Sequence, residues 1–166
     1  MSAASPQELV LVALGANLGD AKRTVVQAMN ALCTWSEGLR SSLWETEPEQ
    51  CPEGSPMFVN AAVALLRKPE WTPEGFLERL HALEREHGRV SRIVKNESRT
   101  LDLDLIAFGS ECRTGKLALP HPRAHERRFV LGPLAEIAPN FVWPGAAAGG
   151  ATVADLLGSL PLKPAP

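Results

Sequence analysis

The stretch Arg99-Thr100-Leu101-Asp102-Leu103-Asp104-Leu105-Ile106 constrains the fold more than any other part of the chain. Leucine at every second position specifies a strand with one face in a core, because side chains alternate faces along extended backbone. Asp102 and Asp104 then share the opposite face, with Cα atoms about 6.6 Å apart. Two carboxylates so placed reach a shared pair of divalent cations. Held beside a core they are costly unless something positive neutralises them. A half-exposed strand with an acidic polar face gives the same pattern, and for the pair alone that plainer reading is favoured. Beyond Leu105 the alternation stops at Ile106, Ala107 and Phe108, the pattern of a central strand covered on both faces.

The flanks change the balance. Arg79, Arg85, His87, Arg89, Arg92, Lys95 and Arg99 precede the acids, and His121-Pro122-Arg123-Ala124-His125-Glu126-Arg127-Arg128 follows them. Carboxylates that hold a metal, with guanidinium and imidazole donors on either side, are what a metal–polyphosphate complex requires. Nucleic acid competes for any basic cluster, but 17 Lys+Arg stand against 19 Asp+Glu, for a formal net charge of −2. A nucleic-acid binder has a basic balance, so the cluster reads as a local site.

One domain is expected over residues 1–166, with tails at 1–7 and about 159–166 flexible. Residues 1–8 carry no basic start or apolar stretch, so no export signal is expected, and no apolar run approaches the ~20 residues of a membrane span. Cys33, Cys51 and Cys112 are odd in number and lack a metal-binding spacing. Free thiols in a reducing cytoplasm are the expectation.

Leu9-Val10-Leu11-Val12-Ala13-Leu14 reads as a buried strand ended by Gly15. Residues 15–20 form a turn, with neither the dinucleotide glycine spacing nor the Gly-Lys-Ser/Thr ending of a phosphate loop. Asp20 is a candidate N-cap for a helix carrying Val25, Val26, Met29 and Leu32. A second strand is expected at 41–46, then a Pro/Gly-rich loop at 47–56, long enough to suggest a functional or mobile segment. Residues 58–66 form a third strand, in which Asn60 is an embedded amide that must find partners. Thr72-Pro73-Glu74 opens a helix with cap, N1 proline and acid near the positive dipole end. Phe76, Leu77, Leu80 and Leu83 form its apolar stripe and Gly88 its stop; His81 and Glu84 lie off that stripe, where solvated helix surface is the commoner outcome. Short helices are expected at 129–137 and 152–157. The order strand, helix, strand, strand, helix, strand gives an α+β class: a ferredoxin-like (split βαβ) antiparallel sheet with helices on both faces and C-terminal additions.

Four stretches, in order, resemble the 6-hydroxymethyl-7,8-dihydropterin pyrophosphokinase family of folate biosynthesis. They are Gly15-Ala16-Asn17-Leu18-Gly19; Phe58-Val59-Asn60-Ala61-Ala62-Val63; Glu84 and Gly88-Arg89 leading to Arg99-Thr100-Leu101-Asp102-Leu103-Asp104; and Leu119-Pro120-His121-Pro122-Arg123 followed by Arg127-Arg128-Phe129-Val130-Leu131 and Glu136-Ile137-Ala138-Pro139. The resemblance implies transfer of the terminal pyrophosphoryl group of ATP onto the hydroxymethyl of the pterin, with release of AMP. It implies that Asp102 and Asp104 hold two Mg²⁺ ions, and that His81, Glu84, Arg99, His121 and Arg127 meet ATP. Arg99 and Arg127 join the two aspartates as catalytic residues. Phe58 and Phe129 would flank the pterin ring, with Thr46 and Asn60 at its donors and acceptors.

The chain departs from the family pattern at Lys95-Asn96-Glu97-Ser98, where an aromatic followed by Gly-Pro is common, and at Ser91, His81 and Glu47. These positions bear on the cover over the substrates, formed by loops 47–56 and 89–98, rather than on the acidic pair. ATP–Mg²⁺ is expected to bind first, with loop closure then completing the pterin pocket. The partners implied are these small molecules, with no nucleic acid, no membrane and a monomeric state. Two other classes compete: a two-metal phosphodiesterase or nuclease, which needs further acids and a water to activate, and a non-catalytic ferredoxin-like module such as an RNA-binding sheet. The latter would carry surface aromatics, whereas aromatic residues make up 5% here.

Overall fold

The computed structural model describes residues 5–46, 57–87 and 100–161. They form β1 (Leu9–Ala16), α1 (Ala21–Trp35), β2 (Gly38–Arg40), β3 (Trp44–Thr46), β4 (Phe58–Leu66), α2 (Pro73–Glu86), β5 (Asp102–Phe108), α3 (Arg128–Ile137) and α4 (Val153–Ser159). The five strands make one antiparallel sheet in the order β2-β4-β1-β5, with β3 also paired to β4. The tails expected at 1–7 and about 159–166 lie partly outside the described residues, and both candidate cover loops, 47–56 and 89–98, lie wholly outside them.

The period-2 pattern sorts the sheet into two faces. Val10, Val12 and Leu14 of β1, Val63 and Leu65 of β4, and Leu103 and Leu105 of β5 pack with Val25, Met29 and Leu32 of α1 and Phe76, Leu80 and Leu83 of α2. On the other face Leu11 and Ala13, Ala62 and Ala64, and Ile106 meet Val130, Leu131 and Leu134 of α3 and Val153 of α4. Helices therefore cover both faces. Small residues on this second face let α3 approach closely.

Local signals explain the helices. The Asp20 carboxylate accepts from Arg23 N–H and caps α1, and the Thr72 hydroxyl accepts from Gly75 N–H ahead of Pro73. In α1 the inward stripe is Val25, Ala28, Met29 and Leu32; Val26, expected on it, is exposed. Thr152 and Asp155 form a reciprocal capping box on α4.

Two expectations need correcting. The single strand expected at 41–46 is two short strands separated by a bulge. Arg40 pairs with Val63 and Trp44 with Asn60, so residues 41–43 oppose only 61–62. Ser41 fills the gap: its N–H donates to Ala62 O at 2.9 Å, and its hydroxyl accepts from Ala62 N–H at 2.8 Å. The second correction concerns β5, which closes one end of the described sheet rather than lying at its centre. Its unbroken apolar run marks a second bulge: Val12 pairs with Leu105 but Leu11 with Ala107, leaving Ile106 as the extra residue.

Candidate active site

The site residues gather on the α3 side of the sheet, at the end where β1 finishes and β4 and β5 begin. Gly15 pairs with Asp102 on one side and Asn60 on the other, and Asn60 pairs with Trp44. Asp102, Gly15, Asn60 and Trp44 thus form one row across four strands. Asp104 sits one step in, opposite Ala13. With strands about 4.8 Å apart, the acidic strand lies about 10 Å from Asn60. Asp102 and Asp104 are both half-exposed while Leu101, Leu103 and Leu105 are buried, as the alternation requires.

Gly15 is a steric requirement of this row. A Cβ there would lie 3.3 Å from Asn60 Oδ1, so any side chain at this position would press on the amide and shift it. Asn60 is 7% exposed, and its Nδ2 donates to Thr46 Oγ1 at 2.7 Å. Thr46 and Asn60, far apart in sequence, therefore form a single polar edge. Phe58 lies two residues before Asn60 and Phe129 on the first turn of α3, so both belong to this side of the sheet; each is half-buried. Among the described residues neither ring stacks on another aromatic ring.

The cationic wall comes from the segment between β5 and α3. His121 donates its backbone N–H to Ile106 O at 2.8 Å, which ties this segment to the β5 bulge. Its Nδ1 accepts from Arg123 N–H at 3.2 Å, which assigns the ring proton to Nε2. Burial pushes the imidazole below its ordinary value, and the positive charges of Arg127 and Arg123 push the same way while Asp102 opposes them. His121 is therefore a neutral Nε2–H donor at neutral pH, within the field of both Asp102 and Arg127. Arg127 is the N-cap residue of α3, and its guanidinium lies over the Phe129 ring at 5.6 Å.

Glu84 overturns the solvated-surface reading of α2. It is 2% exposed, and its Oε2 accepts from Leu103 N–H at 2.8 Å, between the two aspartates. Nothing in the helical spacing distinguishes such a residue from a surface glutamate; its partner lies on a strand 19 residues away. His81 is half-exposed on the same helix. Arg99, with Arg89, Arg92 and Lys95, lies outside the described residues. Two residues to which the sequence assigns no role, Trp44 and Glu136, meet beside the row: Trp44 Nε1–H donates to Glu136 Oε2 at 2.7 Å.

Asp102 and Asp104 fit Mg²⁺ as a donor set. Both are hard oxygen ligands, they share a face, and Mg²⁺ in phosphate sites uses one or two carboxylates, with waters and phosphate oxygens completing its shell. Among the described residues no third His, Cys, Asp or Glu converges with them.

An antiparallel α+β frame whose strand end carries paired acids beside a neutral histidine donor and an arginine belongs to the class built for metal-bound phosphate chemistry. Comparison with known proteins gives the particular member. The chain belongs to the 7,8-dihydro-6-hydroxymethylpterin-pyrophosphokinase family, whose model matches residues 11–139. It is 39% identical over 133 residues to a 2-amino-4-hydroxy-6-hydroxymethyldihydropteridine pyrophosphokinase of Bacillus subtilis, covering 78% of this chain and 77% of the relative. The Pseudomonas aeruginosa protein of the same name is 35% identical over 158 residues, 93% of each chain. A folate synthesis bifunctional protein of Arabidopsis thaliana is 34% identical over 133 residues, 78% of this chain and 27% of the relative. No helix among the described residues is long and apolar enough to cross a membrane.

Proposed function

We propose a division of labour among the site residues for the family's reaction. The chain transfers pyrophosphate from ATP to the hydroxymethyl group of 6-hydroxymethyl-7,8-dihydropterin, in folate biosynthesis, and releases AMP. The single observation that carries the assignment of roles is the row Asp102, Gly15, Asn60, with Thr46 bonded to Asn60. It sets a metal-binding edge and a polar recognition edge about 10 Å apart across a residue with no side chain.

On this reading Asp102 and Asp104 hold Mg²⁺, two ions, which when bound neutralise phosphate charge and align the transferring group. His121 donates its Nε2–H to a phosphate oxygen without adding charge. Arg127, with Arg99, faces the negative charge that builds on the transferred group. Glu84 holds the backbone between the two carboxylates, and His81 stands toward the nucleotide. Thr46 and Asn60 meet the polar edge of the pterin, whose ring lies against Phe58 and Phe129. The pterin hydroxyl oxygen then attacks the β-phosphorus in line and gives up its proton to solvent, and the bond from that phosphorus to the α,β-bridging oxygen breaks as AMP departs.

The ferredoxin-like reading is supported by the strand order: β2 and β3 act as one bulged strand, and β5 and β4 flank β1. A single-domain, monomeric, cytoplasmic enzyme that engages no nucleic acid completes the proposal.

The test is AMP formation from ATP, measured with and without the hydroxymethyl pterin and with and without Mg²⁺. AMP that depends on both supports the assignment. ADP or inorganic phosphate as product, or turnover without pterin, refutes it.

A further inference from the structure

Glu136 lies outside the row of site residues, yet it grips the strand that carries one of them. Three donors converge on its carboxylate. Ser42 N–H reaches Oε1 at 2.8 Å, the Ser42 hydroxyl lies 2.9 and 2.8 Å from Oε1 and Oε2, and Trp44 Nε1–H reaches Oε2 at 2.7 Å. The Trp44 ring lies close against Gly132 of the same helix: a Cβ there would come within 2.3 Å of its Cη2. Gly132 and Glu136 are one helical turn apart, so α3 offers space free of a side chain for the ring and an acceptor for its N–H on one stripe.

The clasped strand needs such support. β3 has three residues, pairs with no strand but β4 among the described residues, and follows a bulge. A ladder so short fixes register weakly. Thr46 is its last residue, two positions after Trp44 on the same face. The other end of α3 presents Arg127 and Phe129. One helix thus bears both the phosphate-facing guanidinium and the clasp on the pterin-facing strand.

We infer that Glu136 is a positioning residue for pterin recognition: through Ser42 and Trp44 it holds β3 against α3 and so fixes Thr46 and Asn60 at the spacing the pterin edge requires. The inference rests on the reading of Thr46 and Asn60 as that edge. The Ser42 and Trp44 N–H groups can only donate, one to each oxygen, so both carboxylate oxygens must accept. Glutamine offers one acceptor and turns its amide donor against a donor, which leaves a mismatched contact.

The experiment is calorimetric titration of the hydroxymethyl pterin into enzyme saturated with Mg²⁺ and a non-hydrolysable ATP analogue, with a separate titration of the analogue. Wild type is compared with Glu136→Gln, Trp44→Phe and Ser42→Ala. The pterin Kd should weaken about tenfold in Glu136→Gln and less in the other two, while the analogue Kd stays within about twofold. A general loss of structure would weaken both ligands alike, so equal losses overturn the inference, as does an unchanged pterin Kd. Should Glu136→Gln not fold, Trp44→Phe and Ser42→Ala carry the same test by deleting one donor each. A wild-type protein that binds no pterin refutes the functional assignment itself; a wild type that binds it with variants that bind equally refutes only the clasp.

Discussion

The two faces of the sheet solve different problems with the same strands. Toward α1 and α2 the strands present chiefly Val, Leu and Phe, and the fit is a packing problem in which Glu84 is the buried polar exception. Toward α3 the same strands are split. One half presents Leu11, Ala62, Ala64 and Ile106 to a helix, and the other carries Asp102, Asp104, Gly15 and Asn60, the row proposed to meet substrate. Polar groups can therefore be concentrated on one face because the opposite face supplies the burial that holds the strands in place. Substitutions on the two faces should fail in different ways.

The largest separation is expected from Asp102→Ala and Asp104→Ala. Each should lower turnover by about three orders of magnitude or more, roughly 4 kcal/mol of transition-state stabilisation. Their unfolding midpoints should stay near wild type, since the side chains are half-exposed. AMP release and thermal unfolding measured on the same samples check this, and strong residual activity in both variants removes the metal assignment. Leu80→Ala probes the packing face. Leu80 is 0% exposed on α2, and truncation should cost about 2–5 kcal/mol in denaturant unfolding with KM values unchanged for the folded fraction. A selective loss of substrate affinity there would break the division between faces.

Arg127→Ala should cost about 2–4 kcal/mol in kcat/KM, carried by kcat, if the guanidinium answers charge that develops during transfer. A rise in the KM for ATP with kcat unchanged would instead make it a uniform binding contact. The smallest effect concerns Glu136. The Ser42 N–H, followed by the Trp44 N–H and the Ser42 hydroxyl, holds its carboxyl below the ordinary glutamate value. A depressed value contributes stability that is present above the unfolded value and lost as pH falls through the folded one. Wild type should thus lose a small increment on the acid side of the glutamate range that Glu136→Gln does not lose. Parallel acid unfolding curves would show that the clasp adds no measurable stability.

What was legible in the sequence follows the same division. β1, β4, α1 and α2 could be read because their signals are local: continuous apolar runs, and the Asp20 and Thr72 caps. Asp102 and Asp104 could be read because spacing along a strand fixes face. The interrupted edge strand was not, since Ser41 stands in for a backbone partner and nothing in its neighbours marks the bulge. Glu84 and the pair Trp44–Glu136 depend on partners 19 and 92 residues away, a separation that no periodicity encodes. Phe141 and Trp143 are buried under α4 although their surroundings, Pro- and Gly-rich, read as loop. Family resemblance carried the roles of His121, Phe58 and Phe129; spacing alone assigned them none.

The extra residue in β5 decides where this chain can change length. Positions 102, 104, 106 and 108 would share a face in an uninterrupted strand, which would put Phe108 beside the two aspartates. With Ile106 inserted, Phe108 turns to the opposite face and meets Phe76, ring centroids 6.3 Å apart. The strand is two segments joined out of phase. Loss of a single codon at this joint would remove the bulge while leaving the aspartates and Phe108 on their present faces, but it would displace the carbonyl to which His121 is tied. The exposed turn at 114–116, beyond the joint, bears no such constraint. Insertions and deletions should therefore accumulate in that turn and be purged from the strand.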